Sequence, residues 1–182
     1  MSEIKVASRY AKSLLDLALE QKALEEIKGD MQLFVDTLKQ NPQLQAVVKN
    51  PIIPLGKKNA IIKGVFGDKI HKVTAAFLKI VVDKGRAEII YGVAKEFLRE
   101  YNVFKNIVTA KIISAAPLND TARKEIIEKV KAVTGGEVKL KESVDAGLIG
   151  GFILTVGDKQ FDSSIASSLA RVKKEFSKKM VA

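Results

Sequence analysis

The 182-residue sequence contains no cysteine. Disulfides, thiolate nucleophiles and thiolate metal sites are therefore excluded, and a reducing, cytosol-facing compartment suits the chain. Its single histidine, His71, leaves little room for a zinc site or a Ser-His-Asp arrangement. Tryptophan is absent, aromatics make up 6% and lysine dominates arginine. That balance is poor for stacking on bases or for bidentate base contacts. Long apolar runs are also missing. The longest candidate, Gly147 to Gly157, is punctuated by glycine and about half the roughly 18–20 residues a spanning helix needs. The opening "MSEIKVASRYAKS" has no apolar core or small-residue cleavage site, so no secretory or transit signal is expected.

What is present describes a globular protein, with 47% hydrophobic residues and a net charge of +10. The charge is unevenly spread. Residues 1–48 hold six Lys/Arg against seven Asp/Glu, while the excess lies diffusely in the middle and in "RVKKEFSKK" (Arg171 to Lys179). A basic excess invites an anionic partner, and a nucleic-acid-binding module stands as the second reading, marked by steep salt dependence. A catalytic reading lacks material. Asp16, Asp83, Asp145 and Asp162 are scattered among different segments, and His71 has no second histidine at ligand spacing. No catalytic, cofactor-binding or metal-binding residue is assigned.

Hydrophobic spacing predicts six helices over about residues 1–105. Ala7, Tyr10, Ala11, Leu14, Leu15 and Ala18 form one face of the first. Leu24, Ile27, Met31, Phe34, Val35 and Leu38 form that of the second, which must end near Asn41-Pro42. A short third helix closes at Asn50-Pro51. The fourth opens at Pro54, turns Ala60, Ile61, Val65 and Phe66 inward and stops at Gly67. The fifth carries Ile70, Val73, Phe77, Leu78 and Val81 and ends at Gly85. The sixth carries Ile89, Ile90, Val93, Phe97, Leu98 and Tyr101.

The period then changes. "NIVTAKIISA" and "EVKLKES" alternate as strands do, and "GGFILTVGD" reads as a third strand. Between the first two lies a helix that Asn119, Asp120 or Thr121 can cap, with Ile126, Ile127, Val130 and Val133 on its face and Gly135-Gly136 at its end. "DSSIASSLARVKKEFSKKM" is a final helix, whose stripe Ile165, Leu169, Val172 and Phe176 fits either a core or a docking face. The expected fold is an N-terminal all-α six-helix bundle (1–105) plus a small C-terminal α+β domain (106–182) in the order β-α-β-β-α. The glycines of "VDAGLIGGFILTVGD" precede a strand instead of opening a helix, and no GxGxxG or glycine-lysine-serine/threonine is present. They are read as a strand connection and not as a phosphate loop.

Several stretches together resemble one family. "ASRYAKSLLDLA", "DKGRAEII", "ISAAPLND", "VKLKESVDAGLIGGFILTVGD" and "DSSIASSLARVKKEF" are similar, end to end and in order, to the delta subunit of F-type ATP synthases, relatives of the mitochondrial oligomycin-sensitivity-conferring protein. One departure is Ala76, before Phe77-Leu78, where a polar residue is expected. The resemblance implies a non-catalytic stator component without cofactor or direct nucleotide. Its helical domain would grip N-terminal helices of the alpha subunits on the catalytic head. Its C-terminal domain would join the b-type subunits of the peripheral stalk, so that proton flow is coupled to ATP synthesis. It further implies a peripheral position on the cytoplasmic face of a bacterial membrane, held there only through the complex. By that analogy Tyr10, Ala11, Leu14, Phe77 and Val81 are candidates for the alpha contact, and Val172, Lys173 and Phe176 for the b contact.

Overall fold

The computed structural model describes residues 3–67 and 69–179, with side chains followed as far as Lys173. The chain divides into two compact units, Met1–Asn102 and Val103–Ala182. The first is built from α1 (Glu3–Glu20), α2 (Leu24–Gln40), α3 (Pro42–Lys49), α4 (Leu55–Phe66), α5 (Lys72–Asp83) and α6 (Ile90–Phe104). A 3₁₀ turn, Ala87–Ile89, leads straight into α6.

Local chemistry sets these bounds. Pro42 ends α2 and opens α3, because its ring bars the preceding residue from the helical well yet suits a first turn. Gly85 takes the left-handed conformation after α5, with φ 71°. His71 caps the start of α5, its Nδ1 accepting the Val73 N–H at 3.3 Å. The core is continuous across helices: Leu14, Ile27, Met31, Phe34, Phe66 and Phe97 are all essentially inaccessible. Phe34 and Phe66 meet with ring centroids 4.8 Å apart. One buried carboxylate ties α2 to α5: Asp30 accepts the His71 N–H at 2.8 Å and the Thr74 hydroxyl at 2.6 Å. Removing it would orphan a buried hydroxyl, at a cost of about 1–3 kcal/mol.

The fourth helix is turned from the expected face. Phe66 is buried and Ile61 and Val65 are half-buried, but Ala60 is exposed, and Lys58 and Ile62 point inward. The reason is polar. Lys58 Nζ donates to the Val48 carbonyl at 2.9 Å, at the C-terminal end of α3, where the helix dipole favours a cation. Apolar spacing alone does not reveal that bond.

The second unit contains β1 (Ile107–Ser114), α7 (Asp120–Thr134), β2 (Glu137–Val144), β3 (Phe152–Val156), β4 (Lys159–Asp162) and α8 (Ile165–Lys179). The sheet runs β2-β1-β3-β4, with β1 and β2 parallel and the other pairs antiparallel. α7 is the crossover that a parallel pair requires. The fold is thus the helical bundle and mixed α+β unit expected, with one strand more. β3 returns as β4 through Gly157-Asp158, with Gly157 at φ 57°. Four residues are too few to display a period. Asn119 caps α7 by accepting the Ala122 N–H at 2.8 Å, and Gly135 closes it at φ 68°.

Ala110, Ile112, Ile126 and Val130 form the core of this unit, with Val138, Leu140, Phe152, Leu154 and Val156 packed against them. Val133, expected on the same face, is 82% exposed. It overhangs a groove of about 790 Å³ that Val130, Leu154, Val156 and Phe161 also line.

Candidate partner-binding surfaces

The glycine-rich segment from Val144 to Asp158 is where a phosphate loop would hold an anion. Asp145 accepts the Gly147 N–H at 2.9 Å and starts a 3₁₀ turn, Ala146–Leu148, that buries Leu148. The chain then passes Gly150 and Gly151 into β3. Gly151 has φ 76°, and a Cβ there would collide with the Ser163 carbonyl. The Gly150 carbonyl accepts the Ile165 N–H at 3.0 Å, and the Gly151 carbonyl accepts the Ala115 N–H at 3.3 Å. These glycines let two backbones touch where β4 passes into α8. No helix N-terminus follows them, so the amide cluster of a phosphate loop does not form. Among the described residues, no group of three or more His, Cys, Asp or Glu is placed to hold a metal ion.

Asp162 secures the start of α8. Its carboxylate accepts the Ser167 hydroxyl at 2.6 Å and the Ser164 N–H at 2.9 Å. Those bonds, the Ser167 hydroxyl foremost, hold its pKa below the ordinary aspartate value. The pKa is depressed in the folded state, so the stabilisation is complete above the unfolded value and lost as pH falls through the folded one. Protection factors of the first-turn amides of α8 should therefore drop on acidification below the usual carboxylate range. Those of α4, which has no acidic residue in its first turn, should hold at the same pH. Equal loss in both helices would contradict the assignment.

Among the residues assigned to an alpha contact, the structure divides surface from interior. Ala11, Leu14 and Val81 are fully buried, so no partner reaches them while the bundle is closed. Tyr10 is half-buried and meets Phe77, 9% exposed, edge to face at 6.3 Å and 71°. The Arg86 guanidinium lies 5.9 Å from the Tyr10 ring centroid. The α1–α5 seam is therefore bridged by an aromatic pair with a cation beside it. Ile80, one turn beyond Phe77 on α5, is 55% exposed, and it was missed because a single isoleucine off the main stripe carries no periodic signal. Ala76, at the departure from the family pattern, is exposed on α5.

On α8, Val172 is 47% exposed and continues an open apolar stripe with Ile165 (47%) and Leu169 (55%). Lys173 is exposed and the Phe176 side chain lies outside the described residues. None of the described helices is long and apolar enough to cross a membrane.

Residues 6–176 match the family model described as ATP synthase delta (OSCP) subunit. The ATP synthase subunit delta of Cytophaga hutchinsonii is 34% identical over 181 residues, covering 100% of this chain and 99% of its own length. The chloroplastic subunit delta of Porphyra purpurea is 38% identical, covering 92% of this chain and 91% of its own. That of Microcystis aeruginosa is 36% identical, covering 92% of each. In fold, the chain is similar to one in the cryo-EM structure of the Toxoplasma gondii mitochondrial ATP synthase hexamer. The TM-score is 0.72 at 21% identity, over 93% of this chain and 96% of that one. With a match that runs nearly from end to end in sequence and in fold, the chain belongs to the ATP synthase delta (OSCP) subunit family.

Proposed function

We propose that this chain is the non-catalytic stator link of an F-type ATP synthase, holding the catalytic head to the peripheral stalk at the cytoplasmic face of a bacterial membrane. Two compact units carrying separate candidate surfaces support the reading. A link under torque holds best through two sites on one chain, because the second contact becomes intramolecular once the first has formed. The helical unit would take N-terminal helices of the alpha subunits along the Tyr10–Phe77 seam. There, exposed Ile80 adds apolar surface, and Arg86 adds a charge able to fix register. Ala11, Leu14 and Val81 would shape that seam from beneath. The α+β unit would take the b-type subunits along the open stripe of α8, with Val172 and Lys173 central and Phe176 as its continuation.

The nucleic-acid reading draws no support from the relatives, and the aromatic-poor composition runs against it. Capture of the tagged chain from detergent-solubilised membranes tests the proposal. Recovery of alpha and b-type subunits of ATP synthase is expected. Recovery of nucleic acid without them would overturn it.

A further inference from the structure

We infer that the sheet of the α+β unit presents, on the face away from α7, a docking surface for an acidic protein segment, centred on Lys111, Lys139 and Lys141. The register places these residues together. Lys111 of β1 is paired with Lys141 of β2, and Lys139 lies two residues before Lys141 on the same strand and therefore on the same face. Thr109, the partner of Lys139, and Thr155, the partner of Lys111 on β3, complete a polar strip. Ala110, Ile112, Val138 and Leu140, which alternate with these residues, are the ones packed in the core under α7.

The two faces treat charge differently. On the α7 side, Glu142 is bound by the Arg123 guanidinium at 2.5 Å, and Arg123 also pairs with Asp120 at 2.8 Å. On the other side all three lysines are exposed, and none forms an ion pair with a described residue. The acids nearest in register are Glu137, at the start of β2, and Asp162, already engaged by Ser164 and Ser167. Neighbouring strands run about 4.8 Å apart, so like charges at paired positions repel and cost stability.

Lysine on an edge strand has a structural use, since it discourages edge-to-edge pairing. That accounts for Lys139 and Lys141 on β2, the sheet's edge. It does not account for Lys111, because β1 is central and has neighbours on both sides. A cation held on a central strand against another cation is best explained by an anion that arrives from outside. The strip contains no arginine or aromatic side chain to read or stack bases, so an acidic polypeptide fits better than nucleic acid. The strip lies on β1 and β2 and the apolar stripe on α8, so its test does not depend on the identity of the stator partners.

The test is an amide-shift titration of the full chain with poly-L-glutamate peptide. Shifts should concentrate at residues 108–112 and 138–142, and affinity should weaken about tenfold between low and physiological salt. The variant Lys111→Gln/Lys139→Gln/Lys141→Gln, with all changes at exposed positions, should keep its circular dichroism and lose those shifts. Lys111→Gln alone should weaken binding about threefold, which keeps the test open if the triple variant folds poorly. Shifts centred on Arg171–Lys173 instead, unchanged affinity in both variants, or displacement of the peptide by a short DNA duplex at equal charge would overturn the inference.

Discussion

Gly151→Ala is expected to melt the α+β unit while leaving the helical bundle folded. Gly151 combines a left-handed φ of 76°, which L side chains adopt only at a cost, with a Cβ position occupied by the Ser163 carbonyl. The colliding atom belongs to the backbone of the β4–α8 junction, so it cannot swing aside as a side chain would. Together the strain and the displaced junction should cost about 2–4 kcal/mol. For a unit as small as Val103–Ala182, that is a large share of the stability available. Hydrogen exchange resolved by segment checks it. Protection should collapse over β1 to α8 and persist in α1, α2 and α6. Wild-type protection throughout would show that the junction tolerates the change and that the glycine has another use.

Leu14→Ala should destabilise the helical bundle by about 2–5 kcal/mol. Leu14 is fully buried, and truncation leaves a cavity that its helical neighbours only partly fill. Urea unfolding followed by helical circular dichroism should show the midpoint falling with an unchanged slope. The result bears on function too. Leu14 stands among the residues the family resemblance assigns to the alpha contact, and its burial keeps it from a partner's reach while the bundle is closed. If Leu14→Ala kept full stability while losing alpha binding, Leu14 would be a contact residue and the closed bundle would not be the binding form.

Much of this architecture is legible because burial follows period. The apolar stripes of α1, α2, α5 and α6, the Pro42 and Gly85 boundaries and the shift to alternation at Ile107 are all written locally. What escaped depends on a partner elsewhere in the chain. Lys58 turns inward for a carbonyl ten residues away, and Asp30 is buried for a hydroxyl on α5. β4 becomes a strand only by pairing with β3, and Val133 stands over an open groove that the spacing of one helix does not reveal. The candidate surfaces show the same limit. The spacing of α1 groups Tyr10, Ala11 and Leu14 on one apolar face and does not say which of them stays within a partner's reach. Packing gives Ala11 and Leu14 to the interior and leaves Tyr10 at the seam. The α8 stripe was equally ambiguous, and the exposure of Ile165, Leu169 and Val172 sets it apart from the core.

The most direct test of a two-ended link is to cut its ends one at a time and compare captures from solubilised membranes. Tyr10→Ala/Ile80→Asp alters the α1–α5 seam at accessible side chains, and truncation after Leu169 removes the distal two-thirds of α8. The seam variant should lose alpha subunits at least about tenfold while still recovering b-type subunits, and the truncated chain should do the reverse, each with its unmodified unit still protected in hydrogen exchange. Loss of both partners from either variant, in a chain that remains folded, would mean one shared interface and would contradict the account.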